Sequence, residues 1–295
     1  MSVEQAAALI RAGKLVAFPT ETVYGLGANA LDAAAVARIF DAKKRPRTSP
    51  LIVHVDSVEM ARGLAAEWPP AAETLARRYW PGPLTLVLPK RPAIPDIVTA
   101  GLATVGLRIP AHPLALALIR AAGLPIAAPS ANRFTELSPT LAGHVPEGLA
   151  DYVLDGGPAR VGIESTVLSL AGPPMLLRPG VIPLTEIEAL IGPVLTAADP
   201  PEGAHASPGM HRRHYRPVTP LYLVERGEQP PAGCGIFLRI GQEMPADPAA
   251  YAAALYDTLH RLDSQGLPAI AVERPPDTPE WAGVLDRLRR AAADL

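Results

Sequence analysis

Cysteine is almost missing from this chain. The single one, Cys234, can form no internal disulfide, so a reducing compartment and a cytoplasmic location are expected. Lysine is nearly as scarce, with only Lys14, Lys43, Lys44 and Lys90. No apolar run approaches the roughly 20 residues that a membrane-spanning helix needs, so no membrane partner is expected. The start of the chain shows no signal-peptide pattern either, because Ser2-Val-Glu-Gln5 reads as a capping box opening an amphipathic helix. A net charge of −2 and a pI near 6.4 argue against a general polyanion binder.

Several catalytic signatures are missing as well. The sequence contains no Gly-x-x-x-x-Gly-Lys-Ser/Thr phosphate loop, no Gly-x-Gly-x-x-Gly fingerprint and no Gly-x-Ser-x-Gly elbow. Cys234 lies in a small C-terminal unit, away from every other polar motif, which argues against a cysteine nucleophile. His211 and His214 are three apart, but Arg212 and Arg213 lie between them and oppose a divalent ion.

What is present is a series of apolar runs that break into polar loops. The first, Leu15–Phe18, runs into Pro19-Thr-Glu-Thr-Val-Tyr-Gly-Leu-Gly27. This reads as a buried strand feeding a tight loop that carries two hydroxyls, a carboxylate and a phenol. Lys43-Lys-Arg-Pro-Arg-Thr-Ser-Pro50 holds four cations in five positions. It reads equally as a helix C-terminus, a phosphate clamp with Arg45 as the fork donor, or an RNA patch. His54 sits in an apolar strand. Thr104, Gly106 and Arg108 share one face of another, where the arginine needs an anionic partner, internal or bound. Pro125–Ala128 leads to Ser130 and Asn132. Ser138-Pro-Thr140, Gly162-Ile-Glu-Ser-Thr-Val167 and Leu177-Arg-Pro-Gly180 again set hydroxyls or arginine beside strand ends. Such a site suits anionic substrates whose own groups react.

The alternation of short strands and helices implies an α/β fold with a twisted mixed sheet flanked by helices. A Pro-, Gly- and His-rich stretch then marks a linker. The expected division is a catalytic domain over 1–195, a linker or lid over 196–219, and a small Rossmann-like α/β domain over 220–295.

In order and spacing, these segments resemble the YrdC-type threonylcarbamoyl-AMP synthases, in the form with a C-terminal extension. The resemblance rests on FPTETVYGLGANA, the KxRP clamp before PLIVHV, WPGPLTLVL, TVGLRIPAHP, PIAAPSAN, SPT, DGG before GIESTV, LLRPG, and SPGM with RHY. It implies formation of L-threonylcarbamoyl-adenylate and pyrophosphate from L-threonine, bicarbonate and ATP. The product serves modification of tRNA adenosine 37. It further implies a downstream threonylcarbamoyl transferase complex, a weak tRNA contact at most, and Mg²⁺ carried by ATP with no protein metal site.

Carried over by position, Thr22, His54, Arg108, Ala128 and Ser165 are the expected L-threonine contacts. Lys43, Arg45, Ser49, Thr104, Ser130, Ser138, Arg178 and Tyr215 are the expected ATP contacts, with Tyr215 folding over the nucleotide. No dedicated catalytic base is expected. The alternative is an RNA-binding or ribosome-maturation module on the same fold, against which the acidic balance and the absence of aromatics around the KKRPR run count.

Overall fold

The structure is a computed structural model, and it describes residues 2–196 and 214–292. The expected linker falls mostly outside the described residues; SPGM, His211, Arg212 and Arg213 lie there, whereas His214 and Tyr215 are described.

The chain begins with α1 (Val3–Arg11), β1 (Val16–Phe18), β2 (Gly25–Asn29), α2 (Ala33–Lys43) and β3 (Ile52–His54). Next come α3 (Val58–Leu64), α4 (Pro70–Tyr79), β4 (Leu84–Pro89), α5 (Asp96–Thr99), β5 (Thr104–Arg108), α6 (Pro113–Ala122) and β6 (Ile126–Ala127). A 3-10 turn at Ala142–His144 precedes β7 (Tyr152–Val153), β8 (Thr166–Ser169), β9 (Met175–Arg178), α7 (Leu184–Ile191) and β10 (Leu195–Thr196). The C-terminal unit holds β11 (Leu221–Val224), β12 (Ile236–Leu238), α8 (Pro248–Asp263), β13 (Ile270–Glu273) and α9 (Ala282–Ala291).

Local signals set these boundaries. Ser2 and Gln5 close the capping box of α1 reciprocally. Asp32 and Asp247 cap α2 and α8. Pro113 at the first turn and left-handed Gly123 bracket α6.

The first ten strands form one sheet in the order β10-β9-β8-β4-β5-β3-β6-β2-β1-β7. Its pairings are mixed: β3–β5, β4–β8, β1–β7 and β9–β10 are parallel, the rest antiparallel. The second sheet, β11-β13-β12, is parallel throughout, with α8 crossing between β12 and β13. Both layers match the expected fold class.

β2 departs from the expected loop. Residues 25–29 continue the polar loop as a strand that pairs antiparallel with β1 and β6. Sequence pattern hides this because Gly-Leu-Gly-Ala-Asn lacks the β-branched residues that mark strands. The glycines serve packing. A Cβ at Gly27 would stand 2.8 Å from both Ile126 Cγ2 and Phe18 Cε1, so only glycine lets β1 and β6 close on either side.

The two units share a core. Val23, Leu137 and Ile163 from the first pack with Tyr251, Tyr256, Leu259 and Leu288 of the second, and with Tyr215 just ahead of it. Gly162 sits at φ +79° with the Ala252 carbonyl 2.3 Å from where a Cβ would be, which allows the loop ahead of β8 to lie directly on α8.

Candidate active site

β3 and β5 run parallel in a register that sets His54 beside Arg108 at their carboxyl ends. Around this pair the loop after β1, the segment after β6, the start of β8 and the end of β9 close a cavity of about 50 Å³. Its wall includes Thr22, His54, Arg108, Ala128 and Ser165, all five expected L-threonine contacts. Arg45, Ser130, Arg178 and Tyr215 line it too. Three guanidiniums thus converge on one small buried space.

Arg108 finds its anionic partner inside the protein. Its Nη2 donates to Glu21 Oε1 at 2.6 Å, its Nη1 to Thr22 Oγ1 at 3.0 Å and its Nε to the Gly82 carbonyl at 3.2 Å. The other Glu21 oxygen accepts from the Ala111 amide at 2.9 Å. Glu21 therefore fixes the guanidinium plane before any ligand arrives. The loop carboxylate was visible in the sequence, but its role was not.

Burial, reinforced by the Arg108 charge, pushes the His54 pKa down to about 3. The imidazole is neutral, and its Nδ1 is buried without a hydrogen-bond partner among the described residues. A buried orphan nitrogen of this kind is open to a ligand.

Arg45 donates to the Ser49 hydroxyl and to the Pro50 carbonyl, the latter at 3.1 Å, and lies over the Phe134 ring. Burial moves its pKa down to about 10, leaving it charged at neutral pH. Arg178 grips the Ser165 carbonyl at 3.0–3.1 Å and its hydroxyl at 3.2 Å. Ser165 also bonds Thr85 at 2.8 Å.

Four expected ATP contacts stand outside this wall. The Lys43 ammonium is buried on the carbonyls of Ser130, at 2.6 Å, and Asn132. Burial first, then the Arg45 charge, pushes its pKa well below the ordinary lysine value. Its hydrogen bonds hold the 130–132 segment from behind. Ser49 serves Arg45, and Ser138 donates to Glu164. Thr104 lines a neighbouring narrow cleft with Thr85, Thr99 and Gly106, which shares Ile52 with the main cavity.

Glu164 and His214 line the cavity without having been singled out as site residues. The signals were there: Glu164 inside Gly162–Val167, and His214 beside Tyr215. Tyr215 is 1 % exposed, with its hydroxyl buried and unpartnered among the described residues. Its φ of +63° is rare for a side chain of this size. With Tyr215 in place the cavity has room for a few waters and no more.

Among the described residues no group of three His, Cys, Asp or Glu could hold a metal ion. The wall carboxylate, Glu164, is already bonded to Ser138, Tyr256 and Arg287. The donor set therefore does not fit a protein-held divalent cation. Nor is any helix among the described residues long and apolar enough to cross a membrane.

Comparison with known proteins gives concordant results. A family model described as "Telomere recombination" (Sua5, YciO, YrdC) matches residues 8–180, and one described as "Threonylcarbamoyl-AMP synthase, C-terminal domain" matches residues 182–293. The chain is 44% identical over 322 residues to the threonylcarbamoyl-AMP synthase of Bacillus subtilis, covering 98% of this chain and 92% of that one. It is 54% identical over 227 residues to that of Pyrococcus abyssi, covering 75% and 67%. Among solved structures, that of P. abyssi Sua5 complexed with L-threonine superposes with a TM-score of 0.92 at 42% identity, over 98% of this chain and 94% of the other.

Proposed function

The chain belongs to the threonylcarbamoyl-AMP synthase family, in the form with the C-terminal domain, and on that premise we propose how its residues divide the work. The enzyme joins L-threonine, bicarbonate and ATP for the threonylcarbamoyl modification of tRNA. The threonine amine condenses with bicarbonate, releasing water and leaving a carbamate. A carbamate oxygen attacks the α-phosphorus of ATP, the bond to the β-phosphate oxygen breaks, and pyrophosphate leaves with its electron pair.

One observation carries the assignment of residues: three buried guanidiniums face one cavity otherwise lined by hydroxyls and a neutral histidine. Two anions must meet in this reaction, and fixed cations in a dry site lower the cost of bringing them together. In our proposal Arg108, held by Glu21, pairs with the threonine carboxylate. His54, Thr22, Ser165 and the Ala128 backbone complete that subsite. Arg45, Arg178 and Ser130 face the triphosphate. Lys43, Ser49 and Ser138 act from behind by holding these groups, and Thr104 meets the nucleotide from its adjoining cleft. Mg²⁺ accompanies the ATP phosphates, which neutralises part of their charge; no protein residue is assigned to it.

Tyr215 fills space that ATP must occupy. We assign it the part of a lid that withdraws for entry and returns over the bound nucleotide, shielding a hydrolysable product from water. The division into a catalytic domain at 1–195, a linker at 196–219 and a domain at 220–295 belongs to the same proposal. So do a cytoplasmic location, a downstream threonylcarbamoyl transferase and a weak tRNA contact.

The test is pyrophosphate release from ATP, with and without L-threonine and bicarbonate, and with L-serine as a control. Release that needs both co-substrates and prefers threonine is expected. Folded protein that shows none, but binds RNA with a steep salt dependence, would point to the RNA-binding alternative instead.

A further inference from the structure

The C-terminal unit grips the cavity-wall carboxylate Glu164 from behind, chiefly through one arginine. Arg287 lies on α9 and is 1 % exposed. Its Nε donates to Glu164 Oε2 at 2.7 Å, and its Nη2 to the Glu164 carbonyl at 3.2 Å. Its Nη1 donates to the Pro179 carbonyl and to Asp286, both at 2.8 Å. The guanidinium lies 5.2 Å from the Tyr215 ring centroid. Tyr256, on α8, donates to the same Glu164 oxygen at 3.2 Å. Glu164 itself lines the cavity, and its other oxygen accepts from Ser138.

A carboxylate in the wall of a triphosphate site is an electrostatic fault unless a cation compensates it. The groups facing Glu164 are Arg178 on β9, Tyr256 on α8, Arg287 on α9, Tyr215 and Ser138, while Asp286 on α9 shares the Arg287 guanidinium with it. Burial opposes its ionisation. The charges of Arg287 and then Arg178 outweigh that, so its pKa stays below the ordinary carboxylate value.

We infer that Arg287 is a positioning residue of the nucleotide site: it neutralises and orients the Glu164 carboxylate, so that a nucleoside triphosphate meets no unpaired negative charge in the cavity wall. This rests on the assignment of the cavity to ATP. It makes the C-terminal unit part of the site itself.

The experiment is steady-state kinetics together with equilibrium binding of a non-hydrolysable ATP analogue. Arg287→Met raises the KM for ATP about tenfold or more, as expected when a charged hydrogen-bond partner is lost. The KM for L-threonine stays within about twofold, since in this assignment its carboxylate pairs with Arg108, which Glu21 holds. Adding Glu164→Gln removes the uncompensated charge and brings analogue affinity back toward wild type. In Arg287→Met alone, the acid limb of the ATP KM profile moves to higher pH, because Glu164 then protonates more easily. A merely structural arginine would give neither the rescue nor the moved limb. An unchanged KM for ATP, equal rises in both KM values, or no rescue by Glu164→Gln would each overturn the inference.

If Arg287→Met does not fold, Tyr256→Phe is the substitute. Weaker analogue binding with an unchanged threonine KM supports the coupling, and unchanged binding overturns it. Wild-type protein that binds the analogue but releases no pyrophosphate with threonine would instead fail the functional reading and leave this coupling standing.

Discussion

At the scale of single residues, the site depends on charges placed where water cannot screen them. Arg108→Ala is expected to raise the KM for L-threonine far more than that for ATP, by about 10–100-fold for a lost charged contact. Equal effects on both substrates would reassign Arg108. The substitution also strands the Glu21 carboxylate, which is 7 % exposed. Glu21→Gln in the same background is therefore the control that separates binding from stability. His54 gives the opposite expectation. With its pKa down near 3, it stays neutral across the working range, and the KM for threonine should show no histidine limb between about pH 5 and 9.

The sequence shows polar segments at the ends of apolar runs, and the family resemblance is what assigns parts to the candidate residues within them. Their partners were not legible there. Arg108 meets Glu21 from 87 positions away, and Arg287 meets Glu164 from 123. Only the fold creates such pairs.

At the scale of elements, strong local signals mark the boundaries of α1, α6, α8 and β11. Each has a cap, a proline at its first turn or a compact apolar run to announce it. β2 lacked any such signal, and its strand state comes from tertiary pairing with β1 and β6. Gly27→Ala tests that reading. The added methyl would crowd Ile126 and Phe18 at 2.8 Å, so a loss of about 1–3 kcal/mol is expected in denaturant melts. A neutral result would mean that β1 and β6 can separate to admit it. Because the loop carrying Glu21 and Thr22 joins β1 to β2, the same variant should also weaken threonine binding.

At the scale of the whole molecule, the two units meet through a stacked histidine pair. His144, in the 3-10 turn, and His260, on α8, stack with centroids 4.0 Å apart. His260 Nε2 donates to the Ser138 carbonyl at 3.1 Å. Burial, then the neighbouring His260 charge, pushes the His144 pKa down to about 4; burial lowers that of His260 as well. The unfolded chain therefore binds more protons than the folded one between about pH 4 and 6.5, and stability falls as the pH drops through that window. Thermal melts from pH 7 to 5 should show this slope. The double variant His144→Asn, His260→Asn should flatten part of it, with the rest remaining because His54 and His112 are shifted the same way. An unaltered slope would remove the pair from the pH response.

The contact between Arg287 and Glu164 also bears on how the protein is made. Synthesis runs from the N-terminus, and domains generally fold as they emerge. The large sheet, with Arg178 in it, can close long before α9 leaves the ribosome, yet Glu164 gains its directly bonded cation only with residue 287. A nascent chain paused between the two units would carry every expected threonine contact together with a carboxylate that only Arg178 offsets. Competence for ATP would then arrive in one step, late in translation.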